Sequence, residues 1–112
     1  MKRLSEVVKM TGATRKALQE WAKKGLVEPT AVTEGGYWLY DDDAIFKIRL
    51  VLLYQEAGYK LSEIKTLMLS LDHNNEEELW EEYDHLIEIL KERRGQIDDM
   101  IQDMISKRRE RE

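Results

Sequence analysis

Arg15, Lys16, Gln19 and Lys23 recur at i, i+1, i+4 and i+8, a spacing that places four long polar side chains on one face of a helix, with Leu18 and Trp21 on the other. Cations in such an array neutralise phosphates, and a glutamine among them carries the donor and acceptor that match an adenine edge. Thr14 just ahead and Lys24 just behind extend the candidate set. Further along, Tyr37, Trp38 and Tyr40 lie in a β-favouring run. For Trp38 and Tyr40 two readings stand side by side, packing of a hairpin on a core and contact with a nucleic-acid backbone, whereas Trp21 reads as core. Little else could do chemistry. His73 sits in a polar linker and His85 on a charged helix, so both read as solvated residues. Asp41-Asp42-Asp43 precedes a helical pattern, where capping accounts for the acids better than a metal site does. The absence of cysteine excludes disulfides and thiolate metal sites. No nucleophile–base set or phosphate-binding glycine loop is visible, so neither an enzyme nor a cofactor nor a metal is expected.

The elements that must position these residues are legible as a chain of short helices. Leu4 to Met10 forms an apolar-faced helix with Ser5 as its expected N-cap, and Gly12 supplies the tight turn after it. Thr14 caps a second helix that Gly25 stops. Two short helices joined by a glycine-containing turn read as a helix-turn-helix, or as an ordinary helical hairpin in a small bundle. Ala31-Val32-Thr33 and Tyr37-Trp38-Leu39-Tyr40 around Glu34-Gly35-Gly36 then read as a β-hairpin, which in this position is a wing. A strongly apolar helix is expected from Ala44 to Ala57, ended by Gly58, and a shorter one from Leu61 to Leu69 capped by Ser62. The expected domain division is residues 1–71 as the compact module, the one that would bind DNA if the helix-turn-helix reading holds, 72–75 as a linker and 76–112 as one long helix.

That helix carries Leu79, Tyr83, Leu86, Leu90, Ile97, Met100 and Met104 in steps of four and three, with a gap at Arg93 and Trp80, Ile87 and Ile101 alongside. This is heptad-type spacing, and a lone amphipathic helix cannot bury its own stripe, so a homodimer is expected. Arg93-Arg94-Gly95 is expected to disturb the seam or bend the helix.

Charge follows the same division. The 112 residues total −5, yet residues 1–40 hold seven Lys/Arg against four acids, and residues 72–112 hold seven against fourteen. Phosphate responds to the local patch, so the basic first third is compatible with nucleic acid. No apolar run approaches the roughly 20 residues that span a bilayer. The N-terminus has no apolar core of a signal peptide, so the cytoplasm is the expected compartment and no membrane partner is expected.

The order of these motifs resembles the MerR family of transcription regulators over residues 3–70. Leu4-Ser5-Glu6-Val7, Thr11-Gly12-Ala13-Thr14, Leu18, Trp21, Gly25-Leu26 and Pro29 fall where that family has its helix-turn-helix. Gly36-Tyr37 and Tyr40-Asp41 fall in its wing. Glu56-Ala57-Gly58-Tyr59 and Leu61-Ser62-Glu63-Ile64 resemble the segment joining the helices of its second wing. The resemblance implies a mainly α fold, a winged helix-turn-helix with a small hairpin and a long C-terminal helix pairing antiparallel across a two-fold axis. It implies double-stranded DNA as partner at a palindromic promoter site, with RNA polymerase nearby, and Lys60 as a contact of the second wing. The chain departs from the family pattern at Gln19 and Trp38, where basic residues are usual, and at Glu20, where tyrosine is common. The leading expectation is therefore a sequence-specific, homodimeric transcription regulator. The alternative is a protein-interaction module with this fold and weakened DNA binding. Operator, inducer and direction of regulation are not encoded in any visible motif.

Overall fold

A computed structural model describes residues 1–71 and 76–111. The expected linker 72–75, with His73, lies outside the described residues, as does Glu112. The chain divides into two compact units, Met1–Asp72 and His73–Glu112.

The first unit runs β1 (Lys2–Arg3), α1 (Leu4–Thr11), α2 (Arg15–Lys23), β2 (Ala31–Val32), β3 (Trp38–Tyr40), α3 (Asp42–Glu56) and α4 (Leu61–Leu71). Local chemistry sets most of these boundaries. Gly12, at φ +81°, closes α1 in the left-handed conformation that side chains other than glycine's rarely adopt. Thr14 caps α2, its hydroxyl accepting from the Ala17 N–H at 3.0 Å. Asp41 caps α3 in the same way, accepting from Ala44 N–H at 2.8 Å, while Asp42 and Asp43 complement the positive end of the helix.

Two expected caps are corrected. Ser5 and Ser62 both sit inside the first turn of their helices. In each case a glutamate does the capping from three residues past the cap position. Glu6 accepts from the Arg3 N–H at 3.4 Å, and Glu63 accepts from the Lys60 N–H at 3.1 Å. The first shift has a long-range cause: Lys2 and Arg3 are held extended as a strand, so α1 starts as soon as the strand ends.

That strand was not visible in the sequence. The sheet is three-stranded and antiparallel in the order β1-β3-β2. Lys2 lies opposite Tyr40 and Arg3 opposite Leu39, and on the other edge Ala31 faces Leu39 and Val32 faces Trp38. The hairpin strands are shorter than the expected runs, and Thr33 to Tyr37 form the turn, with Gly36 at φ +82°.

The core gathers Val7, Leu18, Trp21, Tyr40, Ile48, Val51 and Ile64, all essentially without solvent contact. Helix α3 is central, packed against α1, α4 and β3. Each such side chain contributes about 1.5–3 kcal/mol on burial. Trp21 is a core residue, as expected.

The second unit is a single helix, α5 (Glu76–Glu110), in which no residue is buried. It runs unbroken through Arg93-Arg94-Gly95, so the expected disturbance there is not a break in the helix. No helix among the described residues is long and apolar enough to cross a membrane.

Candidate nucleic-acid interface

The surface that α2 presents follows from how it is anchored. Leu18 and Trp21 are buried, so Arg15, Lys16, Gln19 and Lys23 must face outward, and all four are exposed. Thr14 is exposed too, although its hydroxyl oxygen already serves as the cap acceptor. The C-terminal end of α2 is held from a distance: the Lys65 ammonium of α4 donates to the Lys24 carbonyl at 2.8 Å, putting a cation at the negative end of the helix.

Arg15 and Gln19 do not stand alone. With Tyr37, Trp38 and Arg3 they line a groove of about 380 Å³, completed by Leu4, Ser5 and Gly36. One edge is α2 and the other is the hairpin with the strand beside it. The hairpin tip is well braced: Thr33 N–H donates to the Tyr37 carbonyl at 2.9 Å, and Tyr37 N–H donates to the Thr33 hydroxyl at 3.0 Å. The Tyr37 ring lies over Gly35, close enough that a Cβ there would sit 3.3 Å from it, yet the residue remains 57% exposed.

The residues expected to meet DNA thus fall into three groups. Arg15, Gln19, Tyr37 and Trp38 converge on one groove. Thr14, Lys16, Lys23, Lys24 and Lys60 are exposed but do not line it. Lys24 instead borders a second, smaller hollow with Leu26, Leu61, Ser62 and Lys65, where α2 ends and α4 begins. Tyr40 is corrected: it is 0% exposed, so its side chain belongs to the core and cannot reach a duplex. Trp38 and Tyr40 share a face of β3 by the period of a strand, so position along the strand makes the difference: Trp38 stands at the hairpin end beside the groove, and Tyr40 at the end that leads into α3, on a strand packed against α1 and α3. Burial also pushes the Tyr40 hydroxyl above the ordinary tyrosine pKa by desolvation. Trp38, by contrast, keeps both characters, half-buried against the sheet and bordering the groove.

Arg3 is the residue that sequence reasoning missed. Its guanidinium lies over the Tyr37 ring, 4.7 Å from the centroid. Only the β1–β3 pairing brings it there. The one signal in the sequence was a pair of cations directly before an apolar helix, too short to read as a strand.

The candidate dimer residues all lie on α5. Leu79, Tyr83 and Leu86 are partly covered, while Leu90, Ile97, Met100 and Met104 are exposed, together with Trp80, Ile87, Ile101 and Ile105.

This arrangement has known counterparts. The family of MerR HTH regulatory proteins matches residues 2–71, well over half of the chain. The chain belongs to that family. Among curated MerR-type proteins, the HTH-type transcriptional activator mta of Bacillus subtilis is 30% identical over 105 residues, covering 88% of this chain and 37% of that protein. The HTH-type transcriptional regulator CueR of Yersinia pestis is 37% identical over 71 residues, covering 63% of this chain and 50% of that protein. The chain therefore spans half or less of the length of these relatives. Among solved structures, the N-terminus of the Bacillus subtilis multidrug transporter activator superposes with a TM-score of 0.60 at 29% identity, over 93% of this chain and 94% of that one. A MerR-family regulator from Bacillus cereus gives 0.60 at 24% identity, over 92% and 76%, which supports the shared fold. The MerR-like winged helix-turn-helix with a long C-terminal helix is thus the fold of this chain.

Proposed function

We propose that this MerR-family chain is a sequence-specific DNA-binding transcription regulator that acts as a homodimer on a palindromic promoter site. The observation that carries the reading is the groove shared by α2 and the hairpin, in which Arg15 and Gln19 stand beside Tyr37 and Trp38. A helix whose outward face is cationic, flanked by a braced hairpin, has the form of a major-groove reader with a wing on the adjoining backbone. In this reading Thr14, Arg15, Lys16 and Gln19 make the groove contacts, with Arg15 and Gln19 on base edges, while Lys23 and Lys24 address phosphates and Lys60 serves the second wing.

Residues 1–71 serve as the DNA-binding module, 72–75 as linker, and 76–112 as the dimerisation helix. The uncovered apolar stripe of α5 supports self-association, since Leu90, Ile97, Met100 and Met104 all stand exposed on one charged helix. An antiparallel pairing about a two-fold axis presents two copies of α2, which is why a palindrome is the matching site. Such a protein works in the cytoplasm, where RNA polymerase meets the same promoter.

The test is selection from random duplexes with the full chain, followed by titration of variants on the selected and a scrambled site. Arg15→Ala and Gln19→Ala should relax preference at one defined base position, each at a cost of about 1–3 kcal/mol. Lys23→Ala should weaken both duplexes alike. A folded dimer that enriches no sequence at low salt would overturn the regulator reading and favour a protein-interaction module.

A further inference from the structure

The groove between α2 and the hairpin contains a cation that neither the helix-turn-helix nor the hairpin supplies. We propose that Arg3, held on the Tyr37 ring, is a phosphate-binding residue of the DNA interface, so that the first strand rather than the hairpin provides the wing with its charge. The proposal rests on the DNA-binding reading above.

Three observations carry it. Strand pairing fixes Arg3 opposite Leu39, one residue from Trp38, so its place beside the hairpin is set by the backbone. Its guanidinium carbon lies over the Tyr37 ring, 4.7 Å from the centroid, a cation–π contact. A cation–π contact uses up no hydrogen-bond acceptor, so the N–H donors of the guanidinium stay available to grip phosphate oxygens. Finally, no acid neutralises the cleft. Glu6 accepts from the Arg3 main-chain N–H and pairs with Lys2 at 3.9 Å, and no carboxylate among the described residues pairs with the Arg3 side chain. Arg3 and Arg15 line the same groove, which has no acidic residue in its lining. Two converging cations with hydroxyl and amide donors beside them favour an anion, and on a duplex that anion is a backbone phosphodiester.

Tyr37 is the positioning residue. Its ring lies over Gly35 and its backbone is tied to the Thr33 hydroxyl, so it offers a surface that restricts a long, exposed side chain before binding.

The experiment uses the full chain and the duplex it selects, with affinity measured across a salt series. Arg3→Gln should weaken binding roughly 10- to 100-fold and lower the log–log salt slope by about one unit, on selected and scrambled duplexes alike. Arg3→Lys should keep the slope while losing part of the affinity, because the charge stays and the fork is lost. Tyr37→Leu should weaken binding a few-fold with the slope unchanged, and should cost less when made in the Arg3→Gln background, a coupling that a purely structural Arg3 would not produce. An Arg3→Gln dimer with wild-type affinity and slope overturns the proposal, as does a loss confined to the selected sequence. Should Arg3→Gln melt early, Arg3→Lys decides, since a slope reduced by a full unit there contradicts a phosphate contact. Wild-type protein that binds no duplex overturns the DNA-binding reading itself and this proposal with it, before any variant is made.

Discussion

Helices α3 and α5 show two ways for a helix to be stable. In α3, 15 residues bury six side chains, Ala44, Ile45, Ile48, Leu50, Val51 and Tyr54, against neighbours supplied by the same chain. In α5, 35 residues bury none, although Leu90 is 39% and Met104 63% exposed on a regularly spaced stripe. The first is apolar around most of its circumference and is stabilised by its own fold. The second is charged except along one seam, and most of its stability must come from whatever covers that seam. One chain thus combines a unit that fills its own core with a helix whose apolar stripe stays exposed.

The strongest way to break that contrast is Leu86→Asp together with Leu90→Asp. At about 25 cal/mol per Å² of apolar surface, a covered seam contributes several kcal/mol, and two carboxylates would abolish it. Sedimentation should give monomer or unfolded chain, and a normal dimer would remove the case for the seam. Next comes Ile48→Ala in the core of the first unit, where Ile48 has no solvent contact. It should cost about 2–5 kcal/mol. In thermal melts at two protein concentrations, that loss should be largely insensitive to concentration, whereas weakening of the seam should depend on it.

A smaller effect of opposite sign is expected from Gly95→Ala. A Cβ at Gly95 meets nothing within 4 Å, and alanine is favoured in a helix interior by about 1 kcal/mol. The dimer should therefore melt higher. A lower melting temperature would mean that the two helices of a dimer approach too closely there to admit a methyl group.

The smallest change is expected from Tyr40→Phe. The Tyr40 hydroxyl is buried without a hydrogen-bond partner among the described residues, so removing it should leave stability within about 1 kcal/mol of wild type. It should also alter the pH profile. Because the folded-state pKa is raised, the neutral phenol is favoured by the fold. Stability from this group is full below the unfolded value of about 10 and falls as pH rises through the raised folded value. The phenylalanine variant should lack that part of the alkaline loss in a melting series.

The legible parts of the fold were those decided by short-range chemistry. Gly12, Thr14 and Asp41 act within four residues of themselves, so the boundaries they set can be read from their neighbours. The outward face of α2 was equally plain, because burial of Leu18 and Trp21 leaves the helical period to decide where Arg15, Lys16, Gln19 and Lys23 point. The stripe on α5 needed nothing beyond its own spacing.

Tertiary structure decided the rest. It turned Lys2 and Arg3 into a strand against β3, moved the start of α1 to Leu4, and buried Tyr40 while leaving Tyr37 exposed. It also set Arg3 on Tyr37 and brought Lys65 to the end of α2. Each of these joins residues far apart in the chain, and none is stable as an isolated local contact. A two-residue strand has too few hydrogen bonds to form alone, and the positions of Arg3 and Lys65 exist only once α1, α3 and α4 have packed.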